Sequence, residues 1–204
     1  TAAVNVVENN TVVTTVTATD ADAGATLTYS IVGGADAAKF AINASTGALT
    51  FVSGSDFEAP TDVGGNNVYD VQVQVSDGTN IDTQDIAVTI IDASDNAPVI
   101  TSNGGGATAA VNVAENTTAV TTVTATDPDL GSTLTYSIVG GADASKFTID
   151  ANTGALSFTS APDYETPSDA GGDNVYDVTV QVSDGTLTDS QAIAVTVGNV
   201  NDNA

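Results

Sequence analysis

The chain has 204 residues, 26 of them Asp or Glu against 2 Lys or Arg, for a formal net charge of −24, and it contains neither His nor Cys. That balance excludes nucleic acid and anionic membrane as partners, because both need a basic face. It likewise excludes disulfides and imidazole catalysis, and it argues against Zn, Cu or Fe sites, leaving carboxylates and carbonyls that suit hard cations such as Ca²⁺ and Mg²⁺. The bland reading of the same acidity is a solubilised surface. Aromatics are only 5% and Trp is absent, so any core is built from Val, Ile, Leu and Ala, an inventory that favours sheet. No apolar run of transmembrane length and no signal peptide occurs, so an export address is expected outside this sequence.

In chain order, the first signal is V-N-V-V-E-N, running from Val4 to Glu8 and Asn9. A strand is expected over 13–19, ending at Asp20-Ala21-Asp22-Ala23-Gly24, and further strands over 27–32, 40–43 and 49–52. The turn from Asn43 to Gly47 joins two of them, its Gly supplying the positive φ that a side chain resists. After Asp56-Phe57-Glu58 comes the clearest alternation. Tyr69, Val71, Val73 and Val75 fall on one side of a strand, and Val68, Asp70, Gln72 and Gln74 on the other, wet side. A last strand is expected over 86–91, followed by a polar linker, 92–98, that ends in Pro98.

The whole pattern then recurs in a register of 107 without a gap: Glu8 returns as Glu115, Asp56-Phe57-Glu58 as Asp163-Tyr164-Glu165, and roughly 70% of aligned positions are identical. Six or seven short strands per copy imply a sandwich, giving an all-β chain of two tandem Greek-key domains, 1–96 and 97–204, arranged end to end. Residues 98–107 have no counterpart ahead of Thr1, as expected of a piece of a longer array. Asn103-Gly104-Gly105-Gly106 interrupts the first strand of the second copy, where a bulge or a crossover between sheets is expected.

Only four Glu occur, Glu8, Glu58, Glu115 and Glu165, at two matched positions in each copy, which scattered solubilising charge would not produce. Residues i and i+2 of an extended chain point the same way about 6 to 7 Å apart, so pairs such as Asp20 with Asp22 and Asp127 with Asp129 can lean on one ion. Without it, two charges about 4 Å apart repel by roughly 4 kcal/mol at an effective dielectric near 20. Each D-x-D alone also reads as a turn or solvated loop. An EF-hand starting at Asp20 would need an acid where Ile31 stands, and the Gly-rich nonapeptide of β-rolls is missing. The acidic loop 169–173 offers either an extra ion site or a solvated hairpin.

V-x-E-N, A-T-D-x-D-x-G, F-x-I-x-x-x-T-G-x-L, D-x-E, V-S-D-G and the linker D-A-S-D-N-A-P, in this order and twice over, resemble the cadherin repeat. The bacterial variety found in large surface or secreted proteins is the expected one, from the Thr-rich, Arg-free composition and the near-identical copies. The resemblance implies Ca²⁺ between successive repeats, with Glu8, Asp56, Glu58, Asp95 and Asn96 from the upper repeat, Asp127, Asp129 and Asp184 from the lower, and Asp92 as a further linker acid. It implies half-sites at the outer ends, Asp20, Asp22 and Asp77 at one and Glu115, Asp163, Glu165 and Asp202 at the other, binding more weakly. The linker departs from the family's D-x-N-D-N at Ser94, and Asn199 replaces the leading Asp in the second copy.

The expected function is a calcium-binding structural repeat that stiffens an extended extracellular or cell-surface adhesin, its partners being neighbouring repeats. The alternative is direct calcium-dependent adhesion, to another copy, to other cell-surface proteins or to polysaccharide, although Trp is absent and the few aromatics fall at core-like positions. An enzyme built on Asp56 and Glu58 as a glycosidase pair is not expected, since the pair is duplicated and no aromatic cleft accompanies it. No membrane insertion by this segment is expected.

Overall fold

The computed structural model describes residues 1–201. The chain forms two compact units, Thr1–Ala93 and a second that begins at Ser94. The first has seven strands: β1 (Ala2–Val7), β2 (Val12–Thr15), β3 (Thr28–Gly33), β4 (Phe40–Ile42), β5 (Ala48–Phe51), β6 (Val68–Ser76) and β7 (Ile81–Ile91). They make two sheets, in the orders β1-β7-β6-β3 and β2-β5-β4. All pairings are antiparallel except β1 with β7. This is a Greek-key sandwich, and the chain changes sheet between β1 and β2, β2 and β3, β3 and β4, and β5 and β6.

Period-two patterning decides which residues meet inside. Tyr69, Val71 and Val73 of β6 and Ile86, Val88 and Ile90 of β7 are buried against Leu49 and Phe51 of β5, each large side chain contributing about 1.5–3 kcal/mol. Phe40 stacks on Phe51 at 4.6 Å, and Tyr69 meets Phe51 edge-on at 5.3 Å. The Tyr69 hydroxyl accepts a hydrogen bond from Thr61 N at 3.1 Å, which pins the loop after Glu58 to the core. Gly47 has φ +69, and a side chain there would strike the Val16 carbonyl, so this turn admits only glycine.

The second unit contains β8 (Val99–Ile100), β9 (Thr108–Ala114), β10 (Ala119–Thr122), β11 (Ala125–Thr126), β12 (Thr135–Gly140), β13 (Phe147–Ile149), β14 (Ala155–Phe158), β15 (Val175–Ser183) and β16 (Thr188–Gly198). Its sheets repeat the plan as β12-β15-β16-β9 and β10-β14-β13, with an added pair, β8 with β11. The interrupted first strand is a crossover. Val99 and Ile100 pair with Thr126 and Ala125, a 3₁₀ turn over Ser102–Gly104 follows, and β9 then runs parallel to β16. Asn103, Gly104 and Gly105 take positive φ, as the reversal requires.

Two strand limits differ from the periodicity. β7 starts at Ile81, because the exposed stretch before Ile86 pairs with β6 although it carries no apolar alternation. β2 stops at Thr15, whereas the matching stretch of the second unit is extended by β11.

Candidate metal centre

Glu8 follows directly on β1, so the strand delivers its side chain to the foot of the first sandwich. It is 2% exposed. Its Oε2 accepts from Phe57 N at 2.7 Å and its Oε1 from Ala93 N at 2.8 Å, so one carboxylate ties the D-x-E loop and the start of the linker to β1. Glu115 repeats this in the second unit. It too is 2% exposed, and it accepts from Tyr164 N at 2.7 Å and Val200 N at 2.6 Å. A buried carboxylate with two N–H donors is fixed in direction, yet each oxygen keeps a lone pair for a cation.

Around Glu8, ligand oxygens of Glu8 and Glu58 lie within 4.8 Å of each other, as do those of Glu58 and Asp92. Asp56 instead accepts from Ala59 N at 3.0 Å. At the same end of the second unit, Glu115, Asp163 and Glu165 bring an oxygen each within 4.8 Å. Glu165 also accepts from the Asn199 amide at 2.6 Å. Asp202 lies outside the described residues.

At the opposite end of each unit the acids that follow β2 in the first and β11 in the second meet the hairpin between the last two strands. Asp127, Asp129 and Asp184 place oxygens within 4.8 Å of one another, and Asp127 Oδ2 is buried without a hydrogen-bond partner. Asp129 is 5% exposed. Asn96 clamps it, giving its backbone N–H to Oδ2 at 3.1 Å and its side-chain amide to Oδ1 at 2.9 Å; the same amide reaches Asp95 at 2.9 Å. Ser94 Oγ donates to Asp184 Oδ2 at 3.4 Å. Asp20, Asp22 and Asp77 form the matching group in the first unit, with Asp20 and Asp22 exposed.

The N–H groups of Asn80 and Thr79 hold the Asp77 carboxyl below its ordinary value, and those of Leu187 and Thr186 do the same for Asp184. These groups are therefore anionic wherever the protein is folded at neutral pH. The only two cationic side chains, Lys39 and Lys146, belong to 3₁₀ turns elsewhere, Ala37–Lys39 and Ala144–Lys146. A set of carboxylate oxygens this close, one of them buried and unsatisfied, fits a hard oxygen-seeking cation such as Ca²⁺.

In the loop 169–173 the residues after Asp169 are exposed, while Asp169 itself turns inward. Asp169 is buried, and burial pushes its carboxyl up, but N–H donation from Asp173 and Asn174 outweighs that and lowers it. Among the described residues it belongs to no acidic group that could hold an ion. Asp62 plays the same part in the first unit. Sequence reasoning also missed Asp36 and Asp143. Asp36 is buried and accepts from Val63 N at 2.8 Å and Asp70 N at 2.9 Å, and Asp143 does the same with Ala170 and Asp177. Their signal was recurrence within G-G-A-D at the shared register.

Asn67 completes the local frame. At φ +60 it donates its amide to Phe57 O at 2.8 Å, between the two acids of D-x-E, and Asn174 does so to Tyr164 O at 2.9 Å.

Comparison with known proteins matches residues 2–91 and 109–198 to the Cadherin domain model. Mouse Protocadherin Fat 4 is 33% identical over 197 residues, covering 94% of this chain and 4% of that protein. Mouse Cadherin EGF LAG seven-pass G-type receptor 2 is 34% identical over 201 residues, covering 95% of this chain and 6% of that protein. The chain thus spans only a small part of these relatives. Among solved structures, mouse Cadherin-23 EC22-24 superposes with a TM-score of 0.69 at 25% identity, covering 98% of this chain and 62% of that one. Human Protocadherin-24 EC1-2 gives 0.73 at 23%, covering 97% and 94%, a likeness of fold.

These matches correct the expected bacterial affinity, and with it the description as a bacterial surface protein, because the similar curated proteins are those of mouse and human. A Thr-rich, Arg-free composition constrains solubility and charge rather than fold or origin.

Proposed function

The chain belongs to the cadherin family, and from that premise we propose that it is a calcium-binding pair of extracellular repeats whose ions stiffen the chain where one repeat gives way to the next. A cadherin repeat is a structural and adhesive domain, and the chain is not an enzyme. The proposed ligands are Glu8, Asp56, Glu58 and Asp92 before the linker, Asp95 and Asn96 within it, and Asp127, Asp129 and Asp184 after it.

One observation carries the reading. In the second unit, linker residue Asn96 holds Asp129 by both backbone and side chain, beside Asp127 and Asp184, with a buried Asp127 oxygen left over. A linker that already touches the acids needs only their charge cancelled to become rigid. Bound Ca²⁺ supplies that positive charge. Without it, carboxylates a few ångströms apart repel by several kcal/mol, and the linker is the cheapest place to relieve the repulsion.

A calcium titration by calorimetry, with small-angle scattering in Ca²⁺ and in chelator, tests this. Saturable binding with an extended profile that broadens in chelator is the expected result. Identical scattering profiles, or no heat of binding, would overturn the reading.

A further inference from the structure

The two units part company at a turn that is otherwise copied bond for bond. Between β4 and β5, Asn43 Oδ1 accepts from Ser45 N and from Thr46 N, each at 3.0 Å. Between β13 and β14, Asp150 Oδ1 accepts from Asn152 N and from Thr153 N, each at 2.9 Å. The turn asks only for an oxygen at this position, since a carboxylate serves it as well as an amide. The Asn43 Nδ2 is therefore surplus to the turn. Among the described residues no hydrogen bond engages it or the Ser45 hydroxyl. Asn43, Ala44, Ser45 and Thr46 are all exposed.

Asn43-Ala44-Ser45 is an N-x-S triplet whose middle residue is not proline, the acceptor pattern for an N-linked oligosaccharide on a surface loop of a secreted protein. At the matching register the second unit has Asp150-Ala151-Asn152, so both the amide and the hydroxyl are missing there. Two further triplets fit the pattern, Asn9-Asn10-Thr11 and Asn116-Thr117-Thr118, but both units carry them. They also stand at φ 60 and 62 directly after the buried Glu8 and Glu115, where an oligosaccharide would crowd the proposed metal ligands.

We infer that Asn43 is an N-glycosylation site on the β4–β5 turn, which gives the first unit a carbohydrate that the same turn of the second unit lacks. Asn43 Nδ2 attacks the anomeric carbon of an oligosaccharide carried on a lipid diphosphate. The C–N bond forms as the C–O bond to the diphosphate breaks, the lipid diphosphate leaves, and the amide gives up one proton. The amide keeps its carbonyl, so Oδ1 goes on accepting from Ser45 N and Thr46 N and the turn survives the modification.

The test uses the 204-residue chain, secreted behind a cleavable leader from a mammalian cell line, a host chosen because the similar curated proteins are those of mouse and human. The product is treated with a peptide N-glycosidase in heavy-oxygen water and mapped by mass spectrometry. The expected result is a heavy-oxygen Asp at position 43, lost completely in Ser45→Ala. Asn43→Asp, which installs the residue of the second unit, should be secreted folded by circular dichroism and carry no oligosaccharide at this turn. Recovery of position 43 as unmodified Asn overturns the proposal. So does a heavy-oxygen Asp at 43 that persists in Ser45→Ala, because the amide would then be hydrolysed without the acceptor triplet.

Discussion

The acids after β2 and after β11 stand at the same register in the two units but in different surroundings. Asp20 and Asp22 are exposed, with Asp77 beside them held by its own hairpin. Asp129 is sealed under Asn96, and Asp184 is touched by Ser94. The D-x-D sequence therefore defines a cluster of charge, and a preceding linker turns the cluster into an ordered ligand set. The feet of the two units teach the converse. Glu8 and Glu115 have the same exposure and matching donors, so that carboxylate is organised by its own sandwich alone.

Replacing the buried glutamates tests that distinction most strongly. Glu8→Ala and Glu115→Ala each strand two N–H groups, so each is expected to destabilise its own unit by about 3 kcal/mol. The loss, read by urea unfolding in chelator, should be equal in the two; a loss in only one would break the equivalence. Chelation comes next. Moving from Ca²⁺ at a hundred times the dissociation constant to excess EDTA should remove about 2.7 kcal/mol per site from the folded state. Calorimetric melting curves that coincide in the two conditions would remove the cation from the argument.

Asn96→Ala should cost about 1 kcal/mol, confined to the second unit, and weaken calcium binding there. Unchanged calcium binding in this variant would mean that the linker clamp is incidental.

The smallest effect is on pH. Asp77 and Asp184 have lowered values when folded, so the stability they give is complete above the unfolded value of about 3.9 and is lost as pH falls through the folded one. NMR titration in chelator should put both carboxyl midpoints below that of an ordinary Asp. A midpoint at the ordinary value for Asp77 alone would show that the two hairpins differ more than their bonding suggests.

Much of the fold was legible because period-two burial is written residue by residue. Tyr69, Val71 and Val73 face inward where the alternation puts them, and Gly47 takes the positive φ its turn demands. The strand ends were not legible. Ile81 to Asp85 has no apolar rhythm and is strand only because β6 lies beside it, and Ala125 is strand because Ile100 pairs with it. In the site, acid spacing marked Asp127, Asp129 and Asp184, but nothing in it separated them from Asp62 and Asp169, which spend their oxygens on neighbouring N–H groups.

By itself the sequence determined the repeat, the β-sandwich class and the stock of carboxylates, because these rest on composition and periodicity, which need no distant partner, while its ordered motifs carried the resemblance to the cadherin repeat. Only the tertiary structure decided which acids are turned toward one another and which are consumed by backbone donors. Those outcomes depend on hydrogen bonds and packing between residues tens of positions apart, and no local pattern encodes which distant group will be near enough to bond.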